Sequence, residues 1–171
     1  MTRLRDQRSI VAIDPNSRGL AFAFFEGGTL LDWGIRRNDR NQLSGLDRLV
    51  TAYQADVVII EDPDAPRCER RSRVRRLLRM IADHLQKNGI SVVCVGRYEV
   101  RRVSAERGRM TKHAVAMAIG RDFPEIEYLV PPPRKRYDSE EWRTDIFDAI
   151  SLVLHAFGEH ESANQQLPPA A

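Results

Sequence analysis

The stretch Ser9-Ile10-Val11-Ala12-Ile13-Asp14 decides the fold, because a short run of mostly β-branched apolar residues predicts a strand buried inside a sheet. A second run of this kind, Val57-Val58-Ile59-Ile60, is also followed by an acid, Glu61. Two more acids, Asp145 and Asp148, stand three residues apart in a segment with helical periodicity, so they share one helix face. The sequence therefore predicts that two strand ends and one helix bring four carboxylates together.

A cluster of carboxylates is costly unless cations neutralise it. Hard oxygen ligands suit Mg²⁺ or Mn²⁺, and two such ions can flank the phosphate during in-line attack on a phosphodiester. The pattern thus favours metal-dependent hydrolysis of nucleic acid. Each acid taken alone is more typical of a turn or of a solvated surface, and only the combination indicates a site.

Composition is that of an ordinary globular domain, with 171 residues, of which 42% are hydrophobic and 30% charged. The formal net charge of +3 is too small to indicate a polyanionic partner by itself. No apolar run is long enough for a bilayer, and the first residues lack the apolar core of a signal peptide. We expect one domain over residues 1–158, a disordered tail over 159–171, a cytoplasmic location, no membrane partner and no small-molecule cofactor.

Periodicity and turn residues predict three strands, a helix, a strand, a helix, a strand, two shorter helices and a C-terminal helix. Strands are expected at 9–14, 20–26, 29–36, 56–61 and 90–95. Helices are expected at 44–53, 68–87, 98–106, 112–120 and 140–157, with Ser44 and Asp138 as N-caps of the first and the last. This order predicts an α/β domain with a five-stranded mixed sheet flanked by helices.

The motifs resemble those of the RuvC family of Holliday junction resolvases, whose fold is ribonuclease H-like. Ile13-Asp14-Pro15-Asn16-Ser17-Arg18-Gly19 is similar to the opening motif of the family, and Ile60-Glu61 to its second motif. The stretch 101–115 is similar to the segment in which a lysine, here Lys112, opens a helix. Asp145-Ile146-Phe147-Asp148-Ala149 is similar to the last motif.

Two departures from the family pattern stand out. Asn16 replaces a glycine of the opening motif, and asparagine tolerates the left-handed conformation that such a turn can require. After Glu61, the segment Asp62-Pro63-Asp64-Ala65-Pro66 is acidic and proline-rich, and it has no aromatic residue.

The resemblance, which covers residues 9–157, implies a metal-dependent endonuclease acting on branched or junction DNA. It implies that Asp14, Glu61, Asp145 and Asp148 are catalytic ligands of Mg²⁺ or Mn²⁺, with two ions per active site. It also implies that Lys112 is a catalytic basic residue near the scissile phosphate. It also implies a homodimer, since paired cuts need two sites, and the apolar stripe of the 68–87 helix could supply the contact. A binding module with a degenerate site and a ribonuclease acting on structured RNA remain open alternatives.

Basic side chains fall in three patches, at 67–79, 97–112 and 134–136, which we interpret as the nucleic-acid interface. Between residues 67 and 79 the arginines are opposed only by Glu69, and their mutual repulsion favours a nearby polyanion. A solvated helix face is the alternative for this patch. The candidate contacts with nucleic acid are Arg70, Arg71, Arg73, Arg75, Arg101, Arg102, Arg109, Arg134, Lys135 and Arg136.

Overall fold

The computed structural model describes residues 8–37, 41–106, 111–133, 135 and 141–164, without the side chains of residues 42, 102–106 and 158–164. Its strands are β1 (Ser9–Pro15), β2 (Gly19–Glu26), β3 (Thr29–Arg37), β4 (Val57–Glu61) and β5 (Ser91–Val95). Its helices are α1 (Gln42–Tyr53), α2 (Ser72–Lys87), α3 (Arg97–Glu106), α4 (Lys112–Asp122), a 3₁₀ helix (Pro124–Leu129) and α5 (Arg143–Asn164). The candidate contacts Arg109, Arg134 and Arg136, the Asp138 cap and the side chain of Arg102 lie outside the described residues.

The five strands form one mixed sheet in the order β3-β2-β1-β4-β5. The pairs β1–β2 and β2–β3 are antiparallel, whereas β1–β4 and β4–β5 are parallel. Every residue of β4 and all but the first of β1 are buried, because helices cover both faces of the sheet. Burial on both faces explains why these strands are continuous apolar runs rather than alternating ones, and the predicted five-stranded mixed sheet is confirmed.

Alternate residues of β1 belong to two different cores, one on each face of the sheet. Val11 and Ile13 pack in the core that contains the apolar residues of α1 and α2. Ile10 and Ala12 pack in the core that contains those of α4, the 3₁₀ helix and α5. Because side chains alternate along a strand, Asp14 continues the second series and faces α5.

The turn between β1 and β2 is closed by the side chain of Asn16, not by its backbone conformation. Asn16 Oδ1 accepts hydrogen bonds from the backbone N–H groups of Arg18 (2.7 Å) and Gly19 (3.0 Å). Asn16 has no positive φ, so this turn does not use the left-handed conformation that asparagine tolerates. A Cβ at Gly19 would lie 2.1 Å from the carbonyl oxygen of Arg36, so only glycine allows β2 to approach β3 here.

Several predicted helix ends differ from the observed ones, and three of the differences have an identifiable cause. α1 is capped by Asn41, whose side chain accepts from the N–H of Leu43 at 3.1 Å, while Ser44 lies within the first turn. α2 begins at Ser72 and not at 68, because its N-cap Arg71 has an extended backbone (φ −58°, ψ 147°) that a helix cannot include. α5 continues to Asn164 and therefore includes 159–164, which composition assigns to a disordered tail. These residues contain no proline, so nothing in their backbone stops the helix.

The apolar stripe of α2 is used inside the chain. Leu78, Ile81 and Leu85 are each at most 1% exposed and pack against the sheet. The inference of a dimer contact from this stripe is therefore wrong, and the homodimer stays a prediction from the family resemblance. Among the described residues, no helix combines the length and apolarity that crossing a membrane requires.

Candidate active site

Asp14 and Glu61 lie side by side at one edge of the sheet. The parallel register pairs Ile13 of β1 with Ile60 of β4, so the acid that follows each of them is at the same level. Each of the two acids is only 1% exposed. Two buried carboxylates on adjacent strands repel each other and lose hydration, so this arrangement requires neighbouring positive charge.

α5 brings two more carboxylates to the same edge. Asp145 is in the first turn of α5 and 7% exposed, and the side chain of Asp148, one turn later, is 18% exposed. Ligating oxygens of Asp14, Asp145 and Asp148 all lie within 4.8 Å of one another. The structure thus brings together three of the four sequence-predicted ligands in one cluster, and Glu61 flanks it through partners that it shares with Asp14.

Arg97, the first residue of α3, contacts three of the four carboxylates. Its Nε lies 3.0 Å from Oε2 of Glu61, and its Nη2 lies 3.3 Å from Oδ2 of Asp14 and 3.3 Å from Oδ2 of Asp148. The side chain is 17% exposed, so these charge-assisted contacts are largely shielded from water. Arg97 therefore supplies the positive charge that the buried acids require.

Arg70 approaches the same acids from the loop before α2. Its Nε donates to Oε2 of Glu61 at 2.7 Å, and its Nη2 forms an ion pair with Oδ1 of Asp14. Because this side chain is 20% exposed, it is part of the site and not of the solvated arginine face. Arg70 and Arg97 hold Asp14 and Glu61 between two guanidinium groups.

The α5 acids have polar neighbours of their own. Asn16 Nδ2 donates to Oδ2 of Asp145 at 3.0 Å, and Arg18 Nη1 lies 3.3 Å from the same oxygen. Lys112 Nζ lies 3.0 Å from Oδ2 of Asp148. The turn after β1 and the start of α4 thus both reach the carboxylate cluster.

The balance of burial and charge is visible in the pKa of Asp14. Burial raises this pKa to about 7, against the opposing effect of Arg97 and Arg70, and the charges of Asp148 and Glu61 raise it further. Burial lowers the pKa of Arg97, but the same acids more than compensate, and its net pKa is raised. Arg97 thus stays charged, while a cation placed beside Asp14 would favour the ionised carboxylate.

The chemistry of the donors fits a hard divalent cation. Asp14, Asp145 and Asp148 offer only carboxylate oxygens at mutual distances that one small ion could bridge, and Glu61 is adjacent. Oxygen-only donor sets of this kind suit Mg²⁺ or Mn²⁺. The guanidinium groups of Arg70 and Arg97 neutralise part of the negative charge of these carboxylates. A bound divalent cation would neutralise the same charge.

Arg75 is held within the chain, as Arg70 is. Its Nε donates to the carbonyl oxygen of Pro63 at 2.8 Å, and its Nη2 lies 3.7 Å from Asp64. Arg75 therefore links the loop after β4 to α2. Its position in a run of arginines does not predict this structural role.

Other predicted nucleic-acid contacts face solvent. Arg71 and Arg73 are exposed at the start of α2, and neither has an ion pair within the described part of the chain. Lys135 is exposed on the connector before α5. Arg101 is exposed too and lies 2.8 Å from Oε2 of Glu69. These four side chains are placed where a polyanion could reach them.

Arg97, Asn16 and Arg18 contact the carboxylates but were not among the predicted site residues. Arg97 belongs to a basic patch in the sequence, but nothing in that patch distinguishes it from its neighbours. Its signal is its position, since it comes two residues after Val95, and Val95 pairs with Glu61 at the end of the third parallel strand. The carboxyl ends of neighbouring parallel strands meet at one edge of a sheet, which is where ligands bind in such folds.

Comparison with known proteins identifies the fold. The structure is similar to RuvC of Thermus thermophilus in complex with a Holliday junction substrate (TM-score 0.57, 14% identity, 91% of this chain and 97% of that chain). It is also similar to the fowlpox virus Holliday junction resolvase (TM-score 0.52, 15% identity, 89% and 99%) and to the yeast mitochondrial resolvase Ydc2 (TM-score 0.59, 14% identity, 95% and 85%). No family model and no curated protein sequence matches the chain. The chain thus has the RuvC-type, ribonuclease H-like fold.

Replacing Arg97 tests whether its charge holds the site together. We expect Arg97→Gln to lower the free energy of unfolding by about 3 kcal/mol or more at pH 8, because it leaves buried carboxylates without their partner. The loss should be smaller at pH 5. The pKa of Asp14 is raised from 3.8 to about 7 in the folded chain, so its ionisation destabilises the fold increasingly as the pH rises through this window. Urea denaturation at both pH values measures the effect.

Arg101→Gln is the matched control, since it removes the same group one turn later on α3. The Arg101–Glu69 pair is 55% and 78% exposed, so its loss should cost less than about 1 kcal/mol. Mg²⁺ or Mn²⁺ should also stabilise Arg97→Gln more than the unmodified chain, because the vacated carboxylates regain a counter-charge. Equal losses for the two variants at both pH values would contradict the role assigned to Arg97.

Proposed function

We propose that this chain is a divalent-metal-dependent endonuclease that hydrolyses phosphodiester bonds in branched DNA. The observation that carries the proposal is the convergence of Asp14, Asp145 and Asp148 within 4.8 Å, at the carboxyl edge of a sheet whose fold is shared with resolvases. The similar RuvC structure contains a Holliday junction substrate, which supports junction DNA as the substrate class. A cytoplasmic location stays a prediction of the sequence.

Asp14, Glu61, Asp145 and Asp148 would hold Mg²⁺ or Mn²⁺, with two ions per active site. When bound, such ions generate a water nucleophile at neutral pH and stabilise charge on the phosphate and the leaving oxygen. Asp14 is central to this arrangement because it is buried between β4 and α5 and lies close to all three other acids.

In the proposed mechanism, Lys112 is the catalytic residue whose ammonium group contacts the phosphate. Its side chain is 43% exposed while its Nζ lies 3.0 Å from Asp148, so it borders both the carboxylates and the solvent from which a phosphate arrives. The Thr111 side chain accepts from the N–H of Ala114 at 3.1 Å and fixes the start of α4 at this point. Lys112 can therefore donate to a phosphate oxygen without leaving the site.

The proposed contacts with DNA include exposed arginines of α2 and α3. Arg71 and Arg73 are exposed at the start of α2, and Arg101 is exposed on α3. Arg70 would be able to contact a phosphate if a bound cation replaced it as the partner of Asp14 and Glu61. The remaining proposed contacts are Arg75, Arg102, Arg109, Arg134, Lys135 and Arg136.

Cleavage is the direct test of the proposed function. With Mg²⁺ or Mn²⁺ the protein should cut a four-way DNA junction in preference to a duplex or a structured RNA of matching sequence, and a chelator should stop the reaction. Asp14→Asn and Asp145→Asn should each lower the single-turnover rate at least about 100-fold, equivalent to about 2.7 kcal/mol of transition-state stabilisation. Gel analysis of labelled strands measures the rate.

Asp122→Asn is the control for charge removal, because Asp122 is an exposed acid at the far end of the helix that Lys112 begins. It should cut at the normal rate. Cleavage of RNA alone would replace the proposal with a structured-RNA nuclease. Metal-independent binding with no cleavage of any substrate would indicate a binding module with a degenerate site.

The salt dependence of DNA binding tests whether Arg71 and Arg73, at the start of α2, contact phosphates. Each phosphate contact contributes about −0.9 to the slope of log affinity against log salt for duplex DNA. We expect the double variant Arg71→Ala/Arg73→Ala to reduce the magnitude of this slope by about 2 and to weaken binding to all sequences alike. Fluorescence anisotropy across a salt series measures it.

The double variant Lys87→Ala/Arg121→Ala removes the same charge elsewhere and should leave the slope unchanged. Lys87 ends α2, about 20 Å from Arg73 at 1.5 Å per residue. If both double variants change the slope equally, only the overall charge matters and the assigned interface is wrong.

We also propose that the active species is a homodimer, because paired cuts across a junction require two active sites related by twofold symmetry. Light scattering should give twice the chain mass of 19.6 kDa, either in the free protein or bound to junction DNA. A monomer under both conditions would contradict paired cutting while leaving single-strand hydrolysis intact.

A further inference from the structure

A cleft of about 340 Å³ opens beside the carboxylates. Glu61, Arg70, Arg97 and Lys112 of the candidate active site contribute to its lining. Its volume is within the range of pockets that enclose small ligands. Two further lining residues, Arg67 and Tyr98, have no role in the hydrolysis proposed above.

Tyr98 and Arg67 form a pair in the wall of this cleft. The guanidinium carbon of Arg67 lies 4.6 Å from the centroid of the Tyr98 ring, which is a cation–π contact. Tyr98 is 41% exposed and Arg67 is also exposed, so the pair is accessible to a ligand. Arg67 has a left-handed backbone (φ 62°), a conformation that costs a non-glycine residue about 1–2 kcal/mol.

The lining of the cleft has a net positive charge. Five of its side chains are cationic and two are acidic. Glu61 is already paired with Arg70 and Arg97, and Glu69 lies 2.8 Å from Arg101 in an exposed ion pair. The charge that remains favours an anionic ligand.

We propose that this cleft binds an unpaired nucleotide next to the phosphate that is cut, with its base stacked on the face of the Tyr98 ring opposite Arg67. The proposal rests on the nuclease function and names the feature of the DNA that the site recognises. Aromatic faces combined with cationic side chains are the elements that bind single strands with little sequence preference. A paired and stacked base would first have to leave the duplex, at a cost of a few kcal/mol, so the cleft selects DNA with unpaired bases at the point of cleavage.

Binding without divalent ions tests the subsite separately from hydrolysis. The probes are a 12-nucleotide thymidine strand and a duplex of mixed sequence, both end-labelled, and a strand containing 2-aminopurine. Tyr98→Ala should weaken binding of the single strand about tenfold and reduce the quenching of 2-aminopurine, while duplex affinity is unchanged. Tyr98→Phe should keep both signals, because it keeps the ring.

Tyr128→Ala is the matched control, since Tyr128 is 71% exposed on the 3₁₀ helix and is not part of the cleft lining. It should bind both probes normally. Arg67→Ala should give a smaller loss than Tyr98→Ala, because it removes the cation and leaves the stacking face.

The outcomes separate the subsite from the nuclease function. Normal single-strand binding and normal quenching in a folded Tyr98→Ala would overturn the subsite, even if the protein cleaves junctions. Equal weakening for strand and duplex would also overturn it, because Tyr98 would then be a general contact. Tyr98-dependent strand binding in a protein that cuts nothing would support the subsite while the nuclease proposal fails.

Discussion

Two guanidinium groups make the carboxylate cluster of this protein possible. Asp14 and Glu61 are each 1% exposed on adjacent strands, and they could not both be ionised there without a positive partner. Arg97 and Arg70 supply that charge from α3 and from the loop before α2. The site is therefore balanced by side chains that come from parts of the sequence far from the acids.

The topology of the sheet explains why these groups meet. β1, β4 and β5 run parallel, so the residues at their carboxyl ends, Asp14, Glu61 and the start of α3 at Arg97, lie at one edge. Side-chain alternation directs Asp14 towards the face of the sheet that α5 covers. Asp145 and Asp148 lie on that face, in the first turns of α5. The cleft that contains Tyr98 is also lined by Glu61, Arg97 and Lys112, so the proposed stacking face lies beside the carboxylates.

Local sequence was sufficient for the strands and for the acids that follow them. β-branched runs are a strong strand signal, and the burial of Ile13 and Ile60 agrees with it. The inward direction of Arg70 could not be predicted, because within a run of arginines only tertiary contacts distinguish a buried side chain from a solvated one. The extended backbone of Arg71, which places the start of α2 at Ser72, likewise leaves no local signal in an arginine.

The central claim is that the guanidinium groups neutralise carboxylates that would otherwise bind a metal ion. Crystals grown with Mn²⁺, with anomalous diffraction data collected from them, test it. The account predicts an anomalous peak bounded by Asp14, Asp145 and Asp148, with Arg97 withdrawn from Asp14 and Asp148. No peak at millimolar Mn²⁺, with Arg97 still within hydrogen-bond distance of Asp14 and Glu61, would contradict it. The ion pairs would then be a permanent part of the fold.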